Sequence, residues 1–373
     1  MPIGRLPPTM TSDAAISQYN AFKTFGDPTK GVSGRTIVQA GQRLNGAFTI
    51  EPKSKFDFIG HIARSSGAKT DNNVVRNLFL ATVVKMFGGD SYDEDCLPDS
   101  VREALKLDDF DKGKPLTARR IRAVTTAIDQ YVNTRTLKVE QALTAANVPV
   151  DDTVREQIRT AVRACGGDED VFAALLSNPK DYLINGAAPS PNTLFSKAQV
   201  EQRVRDLAAD VRTLRQAVPD DGKEMFRAAR PFLATGNAMR LTPQLAAGMV
   251  AVAERSPLTD VGKLFSLHKP PVSATNIKDV LDWLGTFRND AMQETKDLHD
   301  PSASAKTQSG YKSILVSMKL AHLIKFIPKD VARLMKGVLQ SPHASTLESS
   351  LRTDHKDDEL SLLALLKAAF DNV

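Results

Sequence analysis

The sequence predicts an all-α protein, a multi-helix globular chain of two helical subdomains. Three observations carry this. Ala, Leu, Val, Arg, Lys, Asp and Glu dominate the composition, with few aromatics and a single tryptophan, Trp283, which favours helix over the β-branched and aromatic mixture of sheets. Apolar residues recur at three- and four-residue spacing between capping residues. Alternating runs of the kind strands require are nearly absent. At 373 residues, 42% apolar and 25% charged, the chain is long enough for two cores and too apolar for wholesale disorder.

Residues 1–12 read as a Pro-punctuated tail, 13–185 as an N-terminal helical domain, 186–196 as a linker and 197–373 as a C-terminal helical domain. Ser12 or Asp13 can cap a first helix through Ile16, Tyr19 and Phe22, stopped by Gly26 and Pro28. The following GVSGRTIVQAGQRLNG carries glycines and a basic residue but lacks the G-x-x-x-x-G-K-[ST] spacing of a phosphate loop, because Thr29 stands where the first glycine belongs. It reads as a loop or short helix with Ile37, Val38 and Leu44 inward. Asp71 to Phe87 places Val74, Val75, Leu78, Phe79, Thr82, Val83 and Met86 on one helical face, and Gly88-Gly89 ends it, one glycine taking the left-handed position. The same pattern recurs from Asp151 to Cys165-Gly166-Gly167. Shared capping chemistry explains it without a duplication.

Pro115 to Val148 reads as one long helix or two in tandem, with a bend at Asn133–Thr136. Val171 to Leu176 is a short helix closed by Asn178-Pro179. NGAAPSPNTLFS, with two prolines and no charge, marks the linker. Downstream, helices are expected at Lys197–Ala217, Gly222–Ala234, Pro243–Arg255, Leu258–Ser266, Thr275–Leu298, Tyr311–Ile327, Lys329–Gln340 and Asp357–Phe370, with HDPSASAKTQSG as a polar connector. The segment around Ile314–Ile327 is apolar on nearly every side and reads as a buried central helix rather than an interfacial one.

Charge is unevenly placed. Asp90 to Asp111 holds nine acids against Arg102 and Lys106, a net of −7, and Lys112 to Lys138 holds seven bases against Asp129, a net of +6, a step larger than the whole chain's +5. Either Thr117 caps the helix that follows or Pro115 stands at its first helical position, and both starts set Arg119, Arg120 and Arg122 in or near its first turn. Cations there oppose the helix dipole by about 0.3–1 kcal/mol each, so a compensating anion is expected. Asp108, Asp109 and Asp111 just upstream are the favoured source, forming an internal clasp. Otherwise Lys114, Arg119, Arg120 and Arg122 form an anion- or partner-binding site, joined by Arg135 and Lys138 if the partner is nucleic acid.

No catalytic or metal motif is present. Asp108–Gly113 keeps only the glycine of a calcium loop, and none of the six histidines falls in a metal spacing. His322 reads as a core or edge residue. Cys96 lies among acids and Cys165 at a helix C-terminus; both settings raise a thiol pKa, and both cysteines are expected as free thiols. Neither a cofactor nor a metal is implied. No window approaches the length of a membrane span, and the start lacks a secretory apolar stretch. Synthesis in the cytoplasm is expected, with leaderless secretion compatible.

The GKPLTARRI string, Gly113 to Ile121, preceded by FGGD at Phe87 and LPDSVREAL at Leu97, resembles helical proteins of Gram-negative bacteria, some host-associated, that have no assigned activity. The likeness spans about 35 residues and implies a bacterial origin. The expected function is therefore a non-enzymatic helical protein-interaction module of bacterial origin, with an exported effector acting on a bacterial or host partner protein as its specific form. The alternatives are a nucleic-acid or anion-binding protein using the Arg119/Arg120/Arg122 helix start, and an enzyme whose site is dispersed over separate helices.

Overall fold

The computed structural model describes residues 11–26, 39–44, 47–51, 78–88, 96–106, 116–185, 193–233, 241–254, 305–325, 329–340 and 367–370. These residues are overwhelmingly helical, and the protein is all-α. It divides into two units, residues 1–172 with 183–205 and residues 173–182 with 206–373. The division therefore runs through helices near residues 172 and 205; of the Pro-containing stretch 186–196, residues 186–192 lie outside the described set.

In the first unit, α1 (Ser12–Gly26) buries Ala15, Tyr19 and Phe22. Its cap is Thr11, whose Oγ1 accepts the Ala14 amide at 3.2 Å, one residue earlier than expected. Ser12 instead donates its hydroxyl to Glu201 at 2.9 Å.

The next segment corrects the expected loop or short helix. β1 (Gln39–Leu44) and β2 (Ala47–Glu51) pair antiparallel, Leu44 opposite Ala47 and Gln39 opposite Glu51, with an irregularity between Ala40 and Arg43. Two residues, Asn45-Gly46, separate the strands, the spacing and composition that favour a tight hairpin. The polar QAGQR run hides it, because it shows no period of two. β2 lies against α1. Residues 27–38, including most of the failed phosphate loop, are outside the described set.

α2 (residues 78–86) is buried around nearly its whole circumference rather than on one face, with Lys85 alone half-exposed. Leu80, Ala81 and Val84 are enclosed together with Leu78, Phe79, Val83 and Met86, and Thr82 satisfies its hydroxyl on the Leu78 carbonyl at 2.7 Å. Phe79 meets Phe22 edge-on at 4.8 Å. Gly88, at φ +77°, takes the left-handed position expected of it.

α3 (Asp99–Leu105) and α1 both pack on α4 (Ala118–Ala145), which runs unbroken through Asn133–Thr136. Thr117 caps α4, accepting the Arg120 amide at 3.2 Å. Ile121, Val124, Ile128, Val132, Val139 and Leu143 form its buried stripe. Tertiary packing of that stripe overrides the weak helix formers between. α5 (Asp152–Ala164), capped by Asp151 at 2.8 Å from the Val154 amide, lies against α4.

The turn after α5 is tightly docked. Gly166 has φ +61°, and the Gly167 amide donates to the Cys96 carbonyl at 3.0 Å. Asp168 then caps α6 (Glu169–Ser177), accepting the amides of Asp170 and Val171 at 2.9 and 3.2 Å. A one-turn α7 (Lys180–Leu183) and α8 (Lys197–Ala217) follow.

The second unit is organised on α11 (Ala305–Ile324), in which Ile314, Leu315, Val316, Met318 and Leu320 are fully enclosed with Ser317 and Lys319. α9 (Lys223–Leu233) and α10 (Pro243–Glu254) pack on it. This agrees with a buried central helix, and among the described residues no helix is long and apolar enough to cross a membrane. α11 starts at Ala305, inside the stretch expected as a connector. The favourable packing of its C-terminal half extends it through residues of middling propensity. α12 (Lys329–Gln340) matches expectation, and α13 (residues 367–370) ends the described chain. The helices expected at Leu258–Ser266 and Thr275–Leu298 lie outside the described residues.

His322, half-buried on α11, has its pKa lowered by burial and then by the Lys325 charge, with Glu254 and Asp221 opposing. The unfolded chain thus takes up the proton first, and the contribution of His322 to stability is complete above the ordinary value of 6.5 and lost as pH falls below it. Urea unfolding should show a larger loss between pH 7.5 and pH 5.5 for the wild type than for His322→Gln. Equal losses would mean that the imidazole is not desolvated by the fold.

Candidate functional site

Arg119 is exposed, while Arg120 and Arg122 are half-buried and engaged within the chain. Lys114 and the clasp acids Asp108, Asp109 and Asp111 lie outside the described residues. Arg135 is committed elsewhere. Its guanidinium stacks at 4.3 Å on both the Tyr131 and Phe172 rings and pairs with Glu169. In the first unit it packs between side chains.

A convergence of polar groups lies further along α4, in a cleft of about 400 Å³ between α1, α4 and α5. Asp129 is its hinge. Tyr19 and Lys23, four residues apart, share one face of α1. The Tyr19 hydroxyl donates to Asp129 Oδ1 at 2.7 Å and approaches the Thr125 carbonyl at 3.1 Å, while Lys23 Nζ sits 2.6 Å from Oδ2. Burial, the hydrogen bond to Asp129 and the Asp129 charge together raise the Tyr19 pKa far above the ordinary phenol value. Tyr19 therefore keeps its proton and acts as a donor.

α5 supplies Glu156, Arg159 and Arg163 at spacings of three and four, one stripe of its surface. Glu156 and Arg159 pair with each other. Arg163 occupies the last turn, where the helix dipole favours a cation. It makes no hydrogen bond or ion pair among the described residues, and its Nε is sealed from solvent without an acceptor. Burial lowers its pKa. Glu156, Tyr19 and Asp129 act the other way, and Arg159 adds to the lowering. The guanidinium stays charged nonetheless.

Lys197, at the start of α8, closes the rim 3.8 Å from Asp13. Ile16, Met86, Ile128 and Val132 give the cleft an apolar lining, and the exposed amides of Asn20 and Asn133 border it. Four cations face two carboxylates, a formal balance of +2, and both carboxylates are already engaged.

Sequence reasoning missed all six of these charged residues. Glu156-x-x-Arg159-x-x-x-Arg163 is visible as a helical stripe, but α1 and α8 lie far from it along the chain and leave no local signature. Both thiols are free, as expected, and the Cys165 pKa is raised well above its ordinary value, chiefly by burial rather than by the helix end. Among the described residues no cluster of His, Cys, Asp and Glu is arranged to hold a metal ion.

No protein-family model, curated protein or solved structure matches the chain.

Proposed function

We propose that the chain is a non-enzymatic helical interaction protein whose first unit holds an acidic segment of a partner protein in the α1–α4–α5 cleft. The observation that carries this is the charge of the cleft, where half-buried Arg163, with no ion pair of its own among the described residues, stands beside three further cations and the two carboxylates are engaged by other groups. The excess of positive charge in a partly enclosed cleft favours an incoming anion. The cleft volume suits a few side chains rather than a duplex, and its apolar lining favours a peptide. Tyr19, held protonated, is suited to fixing Asp129 and not to proton abstraction. The resemblance around Gly113–Ile121 favours a bacterial chain, and an exported form would meet a host partner.

The test is capture from bacterial and host-cell lysates at low and moderate salt, with an Arg159→Gln/Lys197→Gln double variant as comparison. The expected result is a captured protein that resists nuclease treatment and is lost with the double variant. Capture abolished by nuclease would favour nucleic acid instead, and capture unaffected by the double variant would remove the cleft from the account.

A further inference from the structure

We infer that Arg163 is the anchoring contact of this cleft and that it receives a single carboxylate, the side chain of a glutamate in the partner's acidic segment. This rests on the partner-binding reading above and adds to it a residue and a chemical group.

The guanidinium offers five N–H donors in a planar fork that matches a carboxylate. Arg163 spends none of them on the described residues, and its Nε is enclosed without an acceptor. Both nearby acids are otherwise occupied: Asp129 receives Tyr19 and Lys23, and Glu156 pairs with Arg159. The enclosed Nε is out of reach of a ligand, so the contact falls to the terminal nitrogens, which are not enclosed and border the cleft. An external anion meets them there.

The surroundings of Arg163 favour carbon on one side of the ligand. Ile16 and Met86 line both the main cleft and the adjoining void of about 20 Å³, and Arg163 borders each. The two methylenes of a glutamate place apolar surface against Ile16 and Met86 while its carboxylate meets the fork. Lys197 and Arg159, at the open side, serve the neighbouring acids of the segment.

The experiment uses the full chain and two fluorescein-labelled peptides, one of alternating Glu and Ala and its Gln/Ala counterpart, with binding read by anisotropy. The wild type should bind the Glu peptide at least about tenfold tighter than the Gln peptide, and Arg163→Gln should erase about that tenfold preference. Arg163→Lys, which keeps the charge and loses the fork, should recover only part of it. Thermal melting of each variant without peptide establishes that it folds. Binding of the Glu peptide that both variants retain in full would overturn the anchoring role of Arg163 while leaving the partner-binding reading intact. Failure of the wild type to distinguish the peptides would sink that reading too. Displacement of the Glu peptide by inorganic phosphate at lower concentration than by glutarate would overturn the carboxylate assignment.

Discussion

Gly167→Ala is expected to lower the melting temperature of the first unit by about 6–12 °C, the largest effect of any single small substitution proposed for this chain. An added Cβ at residue 167 would lie 2.5 Å from the Leu97 carbonyl oxygen, 2.6 Å from its carbon and 2.8 Å from the Pro98 nitrogen. All three are backbone atoms and cannot swing aside as a side-chain tip can. The Gly167 amide also donates to the Cys96 carbonyl, so any retreat of the turn breaks that hydrogen bond. Steric overpacking against rigid backbone costs about 3 kcal/mol, and a unit of this size converts that into the stated shift. Gly337→Ala is the control. It lies inside α12 with nothing within 4 Å of the added Cβ, and it should stabilise by about 0.5–1 kcal/mol through the ordinary helix preference for alanine. Equal and small effects at the two sites would contradict the close docking of the α5–α6 turn on the segment entering α3.

Arg135→Ala should destabilise the first unit by about 2–3 kcal/mol, through loss of two ring contacts and of the packed aliphatic stem. The guanidinium sits between Tyr131 and Phe172, and its side chain is only 12% exposed. Tyr131 in turn donates its hydroxyl to the Gly166 carbonyl at 2.6 Å, so the stack braces the same turn that Gly167 anchors. The ion pair is the smaller part. Glu169 is 73% exposed, and Glu169→Gln should cost under about 1 kcal/mol. Arg135→Lys should restore little, because an ammonium does not stack flat between two rings. Urea unfolding followed by circular dichroism measures all three. A loss for Glu169→Gln as large as that for Arg135→Ala would mean that the ion pair, rather than the stack, holds the arginine.

These two sites show where legibility in the sequence stops. Cys165-Gly166-Gly167 reads correctly as a helix end, since the rules of left-handed capping are local. That Gly167 must also be glycine to admit the Leu97–Pro98 backbone is a fact about a segment seventy residues earlier. Arg135 reads as a charge among weak helix formers and hence as a bend or a phosphate contact. In the fold it is the filling of an aromatic sandwich, because Tyr131 lies one turn before it and Phe172 is brought to it from α6. The hairpin at Gln39–Glu51 was obscured for another reason. Its turn residues are diagnostic, but its strands are polar and carry an irregularity, so the period-of-two signal fails.

Local chemistry alone was enough for the helical class and for the bounds of α8 and α12, and it offered Thr117 as a cap and an acidic start at Asp151, because capping and periodicity act over a few residues. It also marked the apolar segment of α11 as a buried centre. The cleft was decided by tertiary structure. Lys23, Asp129, Arg159, Arg163 and Lys197 come from four helices, and each by itself is an ordinary surface charge on a solvated face. Only packing of α1 against α4 and of α4 against α5 makes Asp129 a shared acceptor and encloses the Arg163 Nε, since desolvation and pairing are properties of neighbours in space and not of neighbours in the chain.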